Sequence, residues 1–296
     1  KGYAKNALIS FFDLSILLDA PNGHMQFKGK RSMEKTPLEQ FKQDITDRVS
    51  QYPDNQPLQS ASQEFFNQIG IGKADYFYNF TWLGVPVIQT PQDLYALQEM
   101  IWKVKPDLII ETGIAWGGTL IHSASMLALL EGCDEIDKGH VLGIDIEIRP
   151  HNKAVLTNHP LSKKITMLEG SSIDEDIIAQ VKDFAKDYKR ILVCLDSNHT
   201  HDHVLAELEA YAPLVSRGSY CMVADTIIED SPDHMSSKRP WGKGNNPKTA
   251  VWSYLKKLQT KVVTAADGER LSFEMDKELE HKLVLTLSPD GYLFRK

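Results

Sequence analysis

Two acidic side chains and a histidine have the types and the spacing of a centre that moves a proton. Asp196 ends one apolar run, His199 follows it closely, and Asp225 ends the next apolar run. Acids at the ends of neighbouring strands converge on one crevice, and they suit a hard cation such as Mg²⁺, which prefers oxygen ligands. A hydroxyl bound to such a cation loses its proton more easily, and a nearby histidine can take that proton. The pattern predicts Asp196 and Asp225 as metal ligands and His199 as a general base.

A glycine-rich turn is the second candidate site. Residues 109–119 have the pattern of a strand that ends near Glu111, a turn, and the start of a helix. Gly113 can adopt a backbone conformation that other residues avoid, and Gly117 lets main chain approach a ligand closely. Ala115 stands where the dinucleotide-binding fingerprint has its second glycine. The turn therefore predicts a small-molecule site of another kind, and the alternative is an ordinary tight turn.

Other residues near these sites leave alternatives open. His201 and His203 continue an alternating pattern from His199, but zinc sites usually need further Cys or His ligands, so the first turn of a helix is the preferred interpretation. Trp241 lies beside a glycine-containing stretch, residues 242–246, which fits a surface loop or a lid over an acceptor equally well.

Apolar runs alternate with helical patterns over the second half of the chain. Runs of this kind are typical of a buried parallel sheet, and ligands bind outside the carboxyl ends of its strands. We therefore expect an α/β fold with a Rossmann-like sheet and helices on both faces. The predicted strands are residues 108–111, 141–145, 165–168, 191–196 and 220–225, followed by a closing hairpin of residues 271–275 and 283–288.

The first part of the chain lacks this alternation. Residues 1–85 are predicted to be a mostly helical extension that covers the acceptor site or an interface between subunits, and residues 86–296 form the α/β domain. Apolar helical faces in the extension need partners, which predicts a homo-oligomer.

The amino-acid composition indicates which kinds of molecule the protein binds. The net charge of −7, with dispersed Lys and Arg, argues against nucleic acid, and no apolar run approaches the ~20 residues of a membrane span. Three scattered cysteines fit a reduced, cytoplasmic protein. The expected partner is a small molecule.

The segments around these sites resemble a known family. Glu-x-Gly-x-x-x-Gly-Gly at residues 111–118 resembles the first motif of methyltransferases that use S-adenosylmethionine (SAM). Over residues 89–258 the chain resembles the cephalosporin hydroxylase-like group, which includes O-methyltransferases of macrolide and rhamnosyl sugars. The matching segments are residues 105–113, 196–199, 205–208, 211–215, 225–226 and 246–247, with Ala250 and Val251.

The resemblance implies a role for each candidate residue. The acid matching Asp145 accepts hydrogen bonds from the ribose of SAM, and the histidine matching His199 is the general base. Such members hold Mg²⁺ with the acid matching Asp196 and with a Glu-Asp pair. Here the pair is Ala224-Asp225, so one carboxylate is missing, and water, Glu229 or Asp230 are candidates to replace it. The implied SAM-binding residues are Glu111, Gly113, Gly117, Thr119, Asp145, Ser171, Ser172 and Asp196.

The implied reaction is O-methyl transfer from SAM to a hydroxyl of a small natural product or sugar. An oxidoreductase of the hydroxylase type is the first alternative. A non-catalytic SAM-binding protein is the second: Ala224 favours it, and His199 beside Asp196 argues against it.

Overall fold

The structure is a computed structural model that describes residues 35–70 and 72–296. The chain divides into two compact units at Phe41 and Lys42, and the sheet and all candidate site residues that follow belong to the second unit. Within the described ranges, no helix has both the length and the apolar character that a membrane crossing requires. The elements in chain order are α1 (Pro37–Val49), α2 (Gln56–Ile69), β1 (Phe80–Trp82), β2 (Val85–Val87), α3 (Pro91–Val104), β3 (Leu108–Thr112), α4 (Gly118–Gly132), β4 (His140–Asp145), α5 (Pro150–Asn158), β5 (Ile165–Glu169), α6 (Glu175–Ala185), β6 (Ile191–Leu195), α7 (His201–Tyr211), β7 (Tyr220–Val223), α8 (Pro247–Thr260), β8 (Phe273–Met275), α9 (Lys277–Leu283) and β9 (Tyr292–Arg295).

A seven-stranded sheet in the order β5-β4-β3-β6-β7-β9-β8 forms the centre of the molecule. The first five strands of that order run parallel, and β9 pairs antiparallel with both of its neighbours. From β3 the chain first builds outward through β4 and β5, and then returns to the other side of β3 with β6. The crevice between the ends of β3 and β6 is therefore the switch point, where open α/β sheets bind ligands.

Both faces of the sheet are covered by helices, which confirms the predicted Rossmann-like fold. Side chains of a strand alternate between faces: Leu108 and Ile110 of β3 belong to one buried cluster, and Ile109 belongs to another. The first cluster includes α6, α7 and α8, and the second includes α3, α4 and α9. The N-terminal region contains the helices α1 and α2, and the division of the chain at residues 85 and 86 stays a prediction.

The prediction of a closing hairpin is wrong for its second strand, residues 283–288. Residues 284–288 are irregular, and the last strand is β9 instead. The buried carboxylate of Asp93 explains the difference. It accepts hydrogen bonds from the Thr286 hydroxyl at 2.5 Å, from the Leu287 amide at 3.1 Å and from the Tyr292 hydroxyl at 2.8 Å. The Leu287 carbonyl also accepts a hydrogen bond from the Ile227 amide at 3.1 Å, so the backbone groups of Leu287 are satisfied and this residue is buried without being in the sheet.

Candidate active site

The glycine turn brings the ends of β3 and β6 into direct contact. Gly113 has a φ of +88°, a conformation that favours glycine. A Cβ atom at this position would lie 1.9 Å from the carbonyl oxygen of Asp196. The glycine is therefore required by the packing of these two strand ends, in addition to any contact with a ligand.

Asp145, at the end of β4, holds the same turn from the other side. Its Oδ2 accepts hydrogen bonds from the backbone amides of Ile114 at 2.8 Å and Ala115 at 3.0 Å. Its Oδ1 accepts one from the Glu147 amide at 3.2 Å. A carboxylate has about four lone-pair sites, so Asp145 keeps acceptor capacity for a ligand. Its predicted contact with ribose stays a prediction.

Glu111 is buried beneath the turn, with 2% of its surface exposed. The Thr119 hydroxyl donates a hydrogen bond to Oε1, and Oε2 has no partner in the described part of the chain. Burial raises the pKa of Glu111 to about 7, and the Thr119 bond opposes that rise. The side chain thus has an acceptor oxygen to offer near the crevice.

Ser172 lies in a buried polar cluster. Its hydroxyl is 2.6 Å from Glu207 Oε1 and 3.0 Å from His203 Nε2, and the hydroxyl of Ser197 makes matching contacts of 2.6 and 3.1 Å with the same two side chains. Ser171 is partly exposed on the loop after β5. The predicted adenine segment is therefore linked to the loop that follows β6.

Asp196, His199 and Asp225 form one group, as the sequence predicts. One ligand atom from each lies within 4.8 Å of the other two, and this is the candidate metal cluster that the described residues contain. His199 Nε2 is 3.1 Å from Asp225 Oδ2. Burial, followed by the charges of Asp225 and Glu111, raises the pKa of Asp196 well above its ordinary value. A bound cation would offset this repulsion.

The candidates for the missing ligand are engaged elsewhere. Glu229 Oε2 accepts a hydrogen bond from the Gly244 amide at 2.8 Å, and Asp230 pairs with Lys248 at 2.6 Å. Ala224 is buried and offers no ligand. His201 bonds to Thr249 and His203 to the buried cluster, so neither joins His199 in the group. The group also lacks the second histidine of an iron hydroxylase triad.

A cavity of about 320 Å³ joins the turn to this group. Of the predicted site residues, it is lined by Gly113, Gly117, Thr119, Asp196, His199 and Asp225. Glu111, Asp145, Ser171 and Ser172 lie outside its lining. The structure therefore brings the predicted catalytic residues together with the turn, and it places the predicted ribose and adenine contacts beyond the cavity.

Sequence reasoning missed Gln89 and left Trp241 undecided. Gln89 Nε2 donates a hydrogen bond to Asp196 Oδ2 at 3.2 Å, but an isolated glutamine before a helix gives no signal of such a role. The Trp241 ring packs edge-to-face on His199 with centroids 4.7 Å apart and lines the cavity. The loop after Trp241 is closed by pairing between Gly242 and Asn245, so it is an ordered turn, and its role as a lid stays a prediction.

The fold and the site together define a class of protein. A parallel sheet with a glycine turn after β3, an acid at the end of β4 and an acid and a histidine after β6 is an arrangement that fits a SAM-dependent methyltransferase, and the chain is an enzyme of this class. Residues 74–296 match the family model described as Rhamnosyl O-methyltransferase/CmcI, and the chain belongs to that family. The resemblance to sugar O-methyltransferases is confirmed.

Similar proteins include two from mycobacteria. The Rhamnosyl O-methyltransferase of Mycobacterium tuberculosis (strain CDC 1551 / Oshkosh) is 27% identical over 226 residues, covering 74% of this chain and 82% of the relative. That of Mycobacterium leprae (strain TN) is 26% identical over 227 residues, covering 75% and 87%. Among solved structures, a CmcI structure with Mg and SAM has a TM-score of 0.48 at 18% identity, covering 76% of this chain and 80% of that one. The apo structure of CalS11, a TDP-rhamnose 3'-O-methyltransferase, has a TM-score of 0.41 at 16% identity, covering 79% and 92%.

Proposed function

We propose that the chain transfers the methyl group of SAM to a hydroxyl of a sugar or another small natural product, with His199 as general base and Asp196 and Asp225 as ligands of Mg²⁺. The observation that carries the proposal is that the glycine turn and the Asp196, His199 and Asp225 group line one cavity at the switch point of the sheet. A donor and an acceptor bound there would meet beside His199.

The residues around the turn fit SAM. Gly113 and Gly117 expose main chain to the cavity, and buried Glu111 has an acceptor oxygen without a partner. Asp145 fixes the turn and has remaining lone pairs. These groups suit a ligand with an amino-acid end and hydroxyls.

The carboxylates of Asp196 and Asp225 fit Mg²⁺. Oxygen ligands about 2.1 Å from one Mg²⁺ are about 3 to 4 Å apart, so ligand atoms within 4.8 Å need only small side-chain rotations. Mg²⁺ commonly takes one or two protein carboxylates and keeps several waters, so Ala224 does not exclude it.

We infer that His199 takes the acceptor proton. When bound, SAM supplies a methyl group on a positively charged sulfur, and Mg²⁺ makes a bound hydroxyl more acidic. His199 would take the proton as the acceptor oxygen bonds to the methyl carbon, and the broken carbon–sulfur bond would leave S-adenosylhomocysteine (SAH). Asp225, 3.1 Å from Nε2, stabilises the imidazolium that forms. Trp241 covers the ring and limits the access of water.

The relatives support a sugar acceptor. Both mycobacterial proteins are rhamnosyl O-methyltransferases, and they match over most of their own length. A deoxyhexose is accordingly the first acceptor to test.

Calorimetry tests the donor and the metal separately. We expect SAM to bind to the full chain, Mg²⁺ to bind in the presence of SAM, and EDTA to reduce methylation of a deoxyhexoside reversibly. Asp145→Ala should weaken SAM binding. Absence of SAM binding refutes the proposal, whereas activity that is indifferent to EDTA removes only the metal.

We also propose that the protein is a homo-oligomer. Tyr95 and Trp102 lie two turns apart on α3 and are 57% and 49% exposed. These two aromatic side chains in the second unit form an exposed apolar surface that a second copy of the chain could cover. A monomer mass by light scattering at micromolar concentration would refute this. A cytoplasmic location stays a prediction from the cysteine pattern.

A further inference from the structure

In the segment of residues 226–246, which lies between β7 and α8, each acidic side chain has a hydrogen-bond or ion-pair partner. We call these residues the lid segment. Glu229 bonds to Gly244, Asp230 pairs with Lys248 at 2.6 Å, and Asp233 pairs with Lys243 at 3.3 Å. The negative charges of the lid segment are therefore used within its own neighbourhood.

Arg239, in the same segment, has no acidic partner in the described parts of the chain. Its guanidinium carbon lies 5.4 Å from the centre of the Trp241 ring. Because the Trp241 ring is in turn 4.7 Å from the His199 ring, the guanidinium is within about 10 Å of the general base. Stacking on an indole favours a defined position for a flexible arginine.

Arg239 also faces the cavity. Among the described residues that line it, Arg239 is the sole lysine or arginine, and Asp196 and Asp225 are the lining carboxyl groups. The lining therefore combines the carboxyl groups beside His199 with a single cation. Much of the remaining lining is apolar and includes Phe77 and Ile227.

We propose that Arg239 recognises an oxyanion, a phosphoryl or carboxylate group, carried by the acceptor next to the sugar that is methylated. This inference rests on the proposed function and adds that the methyl acceptor is an anion. The planar guanidinium binds phosphate or carboxylate oxygens with two parallel hydrogen bonds. The net charge of −7 disfavours adventitious anions, so an unpaired arginine in this cavity selects for an anion that is attached to a fitting acceptor.

Direct binding tests the site without turnover. The full chain, loaded with SAH in metal-free buffer, is titrated with inorganic pyrophosphate or malonate while tryptophan fluorescence is followed. We expect saturable binding of at least one probe, and the stronger of the two distinguishes phosphoryl from carboxylate recognition. Arg239→Gln should weaken it about tenfold or more, because hydrogen bonds to charged groups contribute that much.

Lys238→Gln is the matched control. Lys238 is the preceding residue, has no ion pair in the described structure and does not line the cavity, so its loss changes net charge equally. Its effect on probe binding should be at most about twofold to threefold, since an exposed charge away from the ligand acts only at long range. No binding to the wild type, or equal weakening in both variants, overturns the proposal.

Acceptor preference separates this inference from the proposed function. A deoxyhexose 1-phosphate, a carboxymethyl deoxyhexoside and the neutral methyl deoxyhexoside are compared by kcat/KM. Arg239→Gln should lower the ratio of anionic to neutral acceptor at least about tenfold, and Lys238→Gln should not. Methylation that ignores the anion leaves the methyltransferase proposal standing and overturns the role of Arg239. Probe binding that needs Arg239, with no methylation of any sugar, supports the anion site and refutes the acceptor class.

Discussion

The two sides of the crevice are built on different principles. On the donor side, meaning the turn after β3 together with Asp145, polar groups are satisfied by backbone hydrogen bonds and glycine permits close packing. On the acceptor side, meaning Asp196, His199 and Asp225, two half-buried carboxyl groups lie close together, and burial and the charge of Asp225 raise the pKa of Asp196. The donor side thus stabilises the fold, whereas the acceptor side destabilises the fold and serves the reaction. Substitutions on the donor side should therefore change stability, and substitutions on the acceptor side should change activity.

His199→Ala provides the largest expected effect, and it should act on activity alone. Loss of a general base typically lowers turnover 10²–10⁴-fold. SAM affinity by calorimetry and the midpoint of urea unfolding should stay close to wild type, because His199 is on the acceptor side. His201→Ala is the control, since His201 bonds to Thr249 outside the group and its loss should preserve turnover. Full activity of His199→Ala would refute its role.

Gly113→Ala tests the donor side and should act on stability. A left-handed conformation costs a non-glycine residue roughly 1–2 kcal/mol. The contact with the Asp196 carbonyl should raise the loss to about 2–5 kcal/mol in the free energy of urea unfolding. Gly218→Ala is the matched control, because Gly218 has a φ of +77° and open space around it. Equal losses in both variants would contradict a structural role for Gly113.

Glu111→Gln tests the buried carboxyl group of β3 that lies beneath the donor side. The folded pKa of about 7 exceeds the ordinary 4.5, so Glu111 stabilises the fold below pH 4.5 and this contribution is lost as the pH rises to about 7. Without SAM or metal, the Gln variant should gain up to about 3 kcal/mol relative to wild type across that window. Gln keeps an acceptor for Thr119. A constant difference in unfolding free energy from pH 4 to 8 would show that the shift is absent.

Ala224→Glu has the smallest expected effect and adds a charge to the acceptor side. A third carboxylate beside Asp196 should lower the melting temperature without metal and tighten Mg²⁺ binding on the order of tenfold. Ala224→Gln has the same size without the charge and should not tighten binding. Asp225→Ala should abolish the response to Mg²⁺. Calorimetry that shows the same Mg²⁺ affinity for the Glu and Gln variants would argue against a cation at this position.

The site residues that lie at or just after the ends of strands could be predicted from the sequence. Asp196, Asp225 and Gly113 follow apolar runs, and parallel strands bring their ends to one edge of the sheet, so the group could be predicted. Gln89 could not, because its contact with Asp196 links residues 107 positions apart and depends on where α3 packs. The segment of residues 284–288 was misassigned for a similar reason: its hydrogen bonds go to Asp93, and apolar content alone does not distinguish a strand from a buried irregular segment.

The position of β9 has a consequence for how the protein is made. β9 lies between β7 and β8, and roughly 70 residues separate it from β7 along the chain. At a synthesis rate of about 5–20 residues per second, β7 waits roughly 4–14 s on the ribosome for this partner. During that interval its edge presents Tyr220, Cys221 and Met222 without their pairing strand. An unpaired apolar edge invites association with other chains. The nascent protein is therefore most exposed to association with other chains while β7, which ends two residues before Asp225, is already made and β9 is not.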